Sequence, residues 1–343
     1  MTPSFTSPEQ LRHELRQAGL SNDMITAAWP QWWSDDAVGS TSAEAELRFS
    51  LARKLGLSAT SLLDDEPAFV MRGRASFKRA TLGRQIDGLM LTTVGHSLGM
   101  LIAAATTTPY RPLTGAAAVR EAVLSSSDFV GLQDLTLLCW ACGIPVVSQS
   151  VFPLSAKRMD AMTVVADGRP VILLARRTEY PAFLSFMVAH ELGHIALGHV
   201  TEDEPIADFS TEHIDLSDYD AAYDQDDQDE ADANAFALEL LTGDPAFTVN
   251  ADRADFNAAQ VAAAARETGE RLRVDPGFVA LALGHSTKRW PQVYSAMREF
   301  GHHVDDLGRQ LNQLAINELD AAQLSDDSWD YVTRALGYSS DDA

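Results

Sequence analysis

The chain predicts a mostly helical α+β fold in which a small β-sheet packs on one central helix, with helical lobes before and after it. Three observations carry this expectation. Apolar residues recur at helical spacing over most of the length, as at Leu82, Ile86, Leu89 and Met90. Between Gly143 and Leu174 the pattern changes to short β-branched runs. Behind those runs, Phe183-Leu184-Ser185-Phe186-Met187-Val188-Ala189 leads with few polar residues into His190-Glu191-Leu192-Gly193-His194.

Taken in order, residues 8 to 65 read as short helices: Pro8 to Ala18, a stretch around Trp29, Trp32 and Trp33, and Ser42 to Leu55. The last is opened by a Thr41/Ser42 cap with Glu44 and Glu46 in its first turn. Leu51 to Leu63 has the helix, glycine turn and second capped helix of a helix-turn-helix, a pattern that any compact three-helix lobe shares. Residues 75 to 138 are helical, broken near Pro109 to Pro112, with a second apolar stripe at Val119, Ala122 and Val123. Strands follow at Ile144-Pro145-Val146-Val147, at Met162 to Ala166 and at Pro170 to Leu174, the last two joined by an Asp167-Gly168 turn.

Glu202 to Gln228 is an acidic, turn-rich loop, and Asp229 to Leu241 resumes a helical pattern. Phe256 to Gly337 is again helical, with a break at Arg273 to Gly277 and a core stripe of Trp290, Tyr294, Met297 and Phe300. Three regions are expected: a helical lobe (1–80), a domain carrying the histidine motif (81–250) and a helical C-terminal region (251–343).

A length of 343 residues exceeds what one compact core usually holds. A net charge of -23 argues against non-specific attachment of the whole molecule to nucleic acid or an anionic membrane. The charge is uneven. Arg48, Arg53, Lys54, Arg72, Arg74, Lys78, Arg79 and Arg84 form a basic lobe that is a candidate for DNA contact, whereas Glu202 to Asp232 holds fourteen carboxylates and no Lys or Arg. The first residues have neither a basic start nor an apolar run, which points to a cytoplasmic location. Leu98 to Thr106, the most apolar stretch, is too short to span a bilayer. The two cysteines, Cys139 and Cys142, suit a reducing compartment, and because their pair closes a helix before a strand they read as structural thiols.

The histidine motif carries chemistry. At about 100° per residue, positions four apart on a helix lie one above the other, so His190 and His194 can reach a single metal ion. Glu191, between them, is then placed to take a proton from a water at the metal, the division of labour of a metallohydrolase. Two histidines leave a catalytic zinc one protein ligand short. His199 lies about 140° round the helix from His194 and points elsewhere unless the helix has ended. It also misses the longer metzincin spacing, which leaves it a supporting or surface role. Glu230 is the better candidate, with Asn234 one turn later able to hydrogen-bond to a ligand. From spacing alone, an ordinary Ala-rich helix with solvated acids stands beside that reading. Tyr219, Tyr223 and His213 in the acidic loop are candidate oxyanion donors.

Val188-Ala189-His190-Glu191-Leu192-Gly193-His194, followed by Glu230-x-x-Ala233-Asn234-x-Phe236-Ala237-x-x-Leu240-Leu241, resembles the ImmA/IrrE family of cytoplasmic zinc metallopeptidases. The resemblance extends back through Gly143-Ile144-Pro145-Val146 and Pro170-Val171-Ile172-Leu173. It implies one Zn2+ held by His190, His194 and Glu230, with Glu191 as general base. It also implies a protein substrate, a helix-turn-helix repressor or antitoxin-like regulator cleaved in a stress, mobile-element or phage-defence response, and no membrane partner. The chain departs from the family in its long acidic insert before Glu230 and in Leu241-Thr242-Gly243, where the family often has Met-Pro. The competing expectation is a zinc-binding regulator that docks on DNA or a partner without turning over a substrate.

Overall fold

Capping side chains and glycines set where the helices begin and end. Ser7, Ser21 and Ser40 open α1 (Pro8–Gln17), α2 (Asn22–Ala28) and α3 (Thr41–Leu55) by accepting from the amides of Gln10, Met24 and Ala43. The cap of α3 is therefore Ser40 rather than the expected Thr41/Ser42 pair. Gly56, at φ 68, closes α3. Ser58 then accepts from Ser61 N at the start of the short α4 (Ala59–Leu63). The computed structural model describes residues 7–63, 68, 82–154, 159–201, 206–208, 228–251, 255–301 and 303–338.

The basic lobe looks different once its side chains are placed. Arg48 is buried and donates Nε to Leu62 O at 3.2 Å, and Lys54 is buried with Nζ 2.6 Å from Asp327 Oδ1. Arg53, half-exposed, reaches the other oxygen of Asp327 at 3.2 Å. Arg48 thus serves the interior of the lobe, while Lys54 and Arg53 join it to Asp327 near the C-terminus. Arg72, Arg74, Lys78 and Arg79 lie outside the described residues.

The helical expectation over 75–138 resolves into α5 (Leu82–Ala105), α6 (Ala116–Leu124) and α7 (Leu132–Ala141). Cys142 caps α7, and both cysteines are free thiols. The sheet follows, built from β1 (Val146–Ser148), β2 (Ala161–Ala166) and β3 (Arg169–Leu174), with a fourth strand, β4 (Ile206–Asp208), in the order β1-β3-β2-β4. The hairpin between β2 and β3 turns on Asp167 and Gly168, at φ 50 and 73, the left-handed pair a tight two-residue hairpin needs. β1 runs parallel to β3, with Val146 opposite Ile172. β4 lies within the stretch expected to be loop. It pairs antiparallel with β2 and supplies hydrogen-bonding partners along the side of Ala161 to Thr163 that β3 does not use.

The opposite edge is closed by a side chain. Asn312, fully buried on α13 (Leu307–Glu318), accepts from Ser148 N at 2.8 Å and donates to Ser148 O at 2.7 Å and to Leu336 O at 2.8 Å. Its amide imitates a neighbouring strand and satisfies the β1 edge.

Strand alternation sends side chains to two cores, one on each face of the sheet. Val147, Met162, Val164, Val171 and Leu173 meet α1 to α5 and the C-terminal α14 (Asp326–Ala335). Met162 and Val164 seat against Gly95 and Gly99 of α5, where an added Cβ would come within 1.9 Å and 2.4 Å of them. Val146, Ala161, Ile172 and Leu174 face the other way, onto α6, α7 and the central helix α8 (Pro181–Leu197). That second core continues through α9 (Gln228–Thr242), α10 (Ala258–Leu272), α11 (Pro276–Thr287), α12 (Trp290–Glu299) and the first part of α13. The fold is a mostly helical α+β arrangement with its small sheet packed on α8. Among the described residues, no helix is long and apolar enough to cross a membrane.

Candidate metal centre

α8 begins with Pro181 at its first turn and is buried continuously from Ala182 to His194, because it has the sheet on one side and helices on the others. Within it, Gly193 is the place where α9 comes closest. A Cβ there would stand 2.8 Å from Ala233 O and 2.9 Å from Ala233 Cα. That approach of backbone to backbone sets Glu230, one turn before Asn234 on α9, against the two histidines of α8.

His190, Glu191 and His194 are fully buried and Glu230 nearly so. His190 Nε2 and His194 Nε2 are 3.0 Å apart. The Glu230 carboxylate completes a triangle, with Oε2 3.4 Å from His190 Nε2 and Oε1 3.2 Å from His194 Nε2. A tetrahedral ion with nitrogen and oxygen ligands about 2.0 to 2.1 Å away has ligand-to-ligand edges of about 3.3 Å, so the three donors already stand at the separation an ion would ask of them. Among the described residues, this is the one group of His, Cys, Asp or Glu side chains drawn together in this way, and it can hold a metal ion.

The far nitrogens of both rings are engaged, which decides what the near ones offer. Asn234 donates Nδ2 to Glu230 O at 2.9 Å, so its Oδ1, 3.0 Å from His190 Nδ1, is left to accept. His190 therefore carries its proton on Nδ1 and turns a lone pair at Nε2 towards the shared point. His194 Nδ1 meets His199 Nδ1 at 3.0 Å, and His199 Nε2 faces Asp229 Oδ1 at 3.6 Å. The carboxylate favours a proton on His199 Nε2, which makes His199 Nδ1 the acceptor and His194 Nδ1 the donor. Burial by itself would raise the Glu230 carboxyl, but hydrogen bonding to the two rings beside it, an interaction that an ion would replace, holds it well below the usual carboxylate range. An anionic carboxylate and two Nε2 lone pairs converge on one buried point. A cation there satisfies all three, and this is the fit of the site to a metal.

His199 reaches this position because the helix has ended. α8 stops at Leu197, and Gly198, at φ 75, forms a left-handed cap that swings the next residue back over the last turn. On a continued helix His199 would have pointed away. Asn234 lies beside His190, with Oδ1 3.0 Å from its Nδ1. Tyr219, Tyr223 and His213 lie outside the described residues.

Two contributors escaped the sequence reading. Asp229 lies in the first turn of α9, where the helical pattern is expected to resume, but nothing in its spacing singles it out as the partner of His199. Thr163 of β2 donates its hydroxyl to Glu191 Oε2 at 2.5 Å, with both residues fully buried. Its signal was a hydroxyl inside an otherwise apolar strand, Ala161-Met162-Thr163-Val164-Val165-Ala166.

No family model, curated protein or solved structure matches this chain. What the residues themselves assemble is a buried His190, His194 and Glu230 group with Glu191 beside it on the same helix.

Proposed function

We propose that the chain is a zinc-dependent endopeptidase of the ImmA/IrrE type that acts in the cytoplasm on a regulatory protein, a helix-turn-helix repressor or an antitoxin-like partner, in a stress, mobile-element or phage-defence response. The observation that carries the reading is the convergence of His190 Nε2, His194 Nε2 and the Glu230 carboxylate on one buried point, next to a glutamate that is not itself one of the three. Two imidazoles and a carboxylate suit zinc, and a set of three protein ligands is the one used where a fourth position serves catalysis. The free thiols Cys139 and Cys142 support a reducing compartment.

His190, His194 and Glu230 would hold the ion. Bound there, zinc would supply Lewis acidity to a peptide carbonyl and lower the pKa of water towards about 7. Glu191 takes the proton of the attacking water and returns it to the leaving amine, serving in turn as base and acid. Asn234 and His199 hold the two imidazoles in the tautomers that present Nε2. The anionic surface of the chain, at net charge -23, favours encounter with a basic protein, the usual character of a DNA-binding repressor.

Glu191→Gln tests the assignment. The variant should keep its zinc, measured by elemental analysis, while cleavage of a helix-turn-helix protein encoded beside this gene falls by about 10²- to 10⁴-fold. Cleavage by the variant at the wild-type rate would show that Glu191 is not the base. Zinc at one per chain with no cleavage by the wild type would instead favour a metal-dependent docking protein.

A further inference from the structure

Strand alternation places Thr163 apart from its neighbours. Met162 and Val164 turn to α5, into the space above Gly95 and Gly99, so Thr163 points to the other face, at α8. There its hydroxyl donates to Glu191 Oε2. The strand is held on both sides at this residue, with Ile172 of β3 opposite it on one flank and Ile206 of β4 on the other. A β-branched side chain on a strand so fixed has little choice of χ1, so its Oγ1 is a rigid point. Glu191 by contrast is a long side chain whose rotamers must be restricted by something outside its own helix.

A buried hydroxyl carries a desolvation cost that valine, a better strand former of almost the same shape, would avoid. The hydrogen bond to the Glu191 carboxyl offsets that cost. It commits Oε2 of Glu191 as an acceptor for Thr163 and so ties the end of the glutamate to the sheet.

We propose that Thr163 is a positioning residue, which fixes Glu191 from the sheet through Oε2. The inference rests on Glu191 being the base. It requires nothing of the metal beyond its place at His190, His194 and Glu230.

Thr163→Val removes the hydroxyl at nearly constant volume, and Thr163→Ser keeps it. The zinc-loaded Thr163→Val variant should lose about 10- to 100-fold in kcat with little change in KM, because a misplaced catalytic group costs turnover rather than binding. Thr163→Ser should recover most of that loss. Crystal structures of the metal-free variants give a readout independent of activity: Glu191 in more than one rotamer in Thr163→Val, and in a single rotamer in the wild type and Thr163→Ser. A Thr163→Val protein with wild-type kcat and a single, unchanged Glu191 rotamer overturns the proposal. So does a pair of variants whose kcat tracks their Tm and not the presence of the hydroxyl. If the wild type hydrolyses no peptide, that failure belongs to the peptidase reading, and the rotamer comparison alone then decides whether Thr163 positions Glu191.

Discussion

Asn234 shows how one amide can determine the chemistry of a ring on another helix. Its Nδ2 is committed to Glu230 O, so Oδ1 faces His190 Nδ1 as an acceptor and Nε2 is left to bind. Asn234→Ala removes that direction while leaving all three ligands in place. The expected result is a fall of about 10- to 100-fold in zinc affinity, read by competition with a chromogenic chelator. An unchanged affinity would mean that the tautomer of His190 is set elsewhere. At this scale the sequence was most informative where the relation is local. His190 and His194 are four apart, and the helical repeat alone puts them on one face. His199 was harder, since its place depends on a single glycine, Gly198, ending α8 one residue earlier. Thr163 was hidden, because its partner Glu191 is 28 positions away and only the crossing of sheet and helix brings them together.

Between elements, the decisive contact is the crossing of α8 and α9 at Gly193. The small residues of Glu230-Ala231-Asp232-Ala233-Asn234-Ala235 allow close packing, and Gly193 is where the closeness is used, with Ala233 O 2.8 Å from where a Cβ would be. Backbone cannot move aside as a flexible side chain can. Gly193→Ala should therefore part the helices and carry Glu230 away from the histidines. We expect a lowered Tm together with a loss of the stabilisation that added zinc should confer on the wild type, measured by thermal unfolding with and without the metal. A variant that is less stable yet still gains as much from zinc would show that the ligand triangle does not depend on this crossing. The β4 strand belongs to the same scale. Composition marked its surroundings as loop, since acidic, turn-forming residues dominate there. Three residues nonetheless pair with β2, because a strand flanked on one side only has backbone groups to satisfy on the other.

Across the whole molecule, the sheet separates two cores, and the chain visits them out of order. α10 to α12 pack with α8 and α9, after which the chain returns, and α14 settles among α2, α3 and α5. A charged clasp marks that return. Asp327 of α14 receives Lys54 Nζ at 2.6 Å, Ser50 Oγ at 2.6 Å and Arg53 Nη2 at 3.2 Å, all from α3. Burial pushes the Lys54 ammonium down to about 8 from its ordinary 10.5, against the opposing pull of Asp327. Between these two values the unfolded chain binds a proton at Lys54 that the folded chain does not, so stability rises with pH through this window and is flat below it. Urea unfolding of the wild type and of Lys54→Met checks this. The midpoint of the wild type should climb relative to the variant from about pH 8 to about pH 10. Parallel profiles would place the ammonium in an environment no drier than water.

The sequence by itself determined what neighbours along the chain decide: the helical segments and their glycine ends, the hairpin at Asp167-Gly168, and the pairing of His190 with His194 around Glu191. These follow from a repeat of 3.6 residues, from left-handed glycines and from a two-residue turn, all of which act over a few positions. Only the tertiary structure decided the rest. It brought Glu230 to His190 and His194 through the contact at Gly193, turned Thr163 to Glu191, and sealed the β1 edge with Asn312. Each of these joins residues far apart in the chain. Their proximity comes from two buried faces of one sheet and from backbone groups that must find partners, quantities that no local stretch of sequence contains.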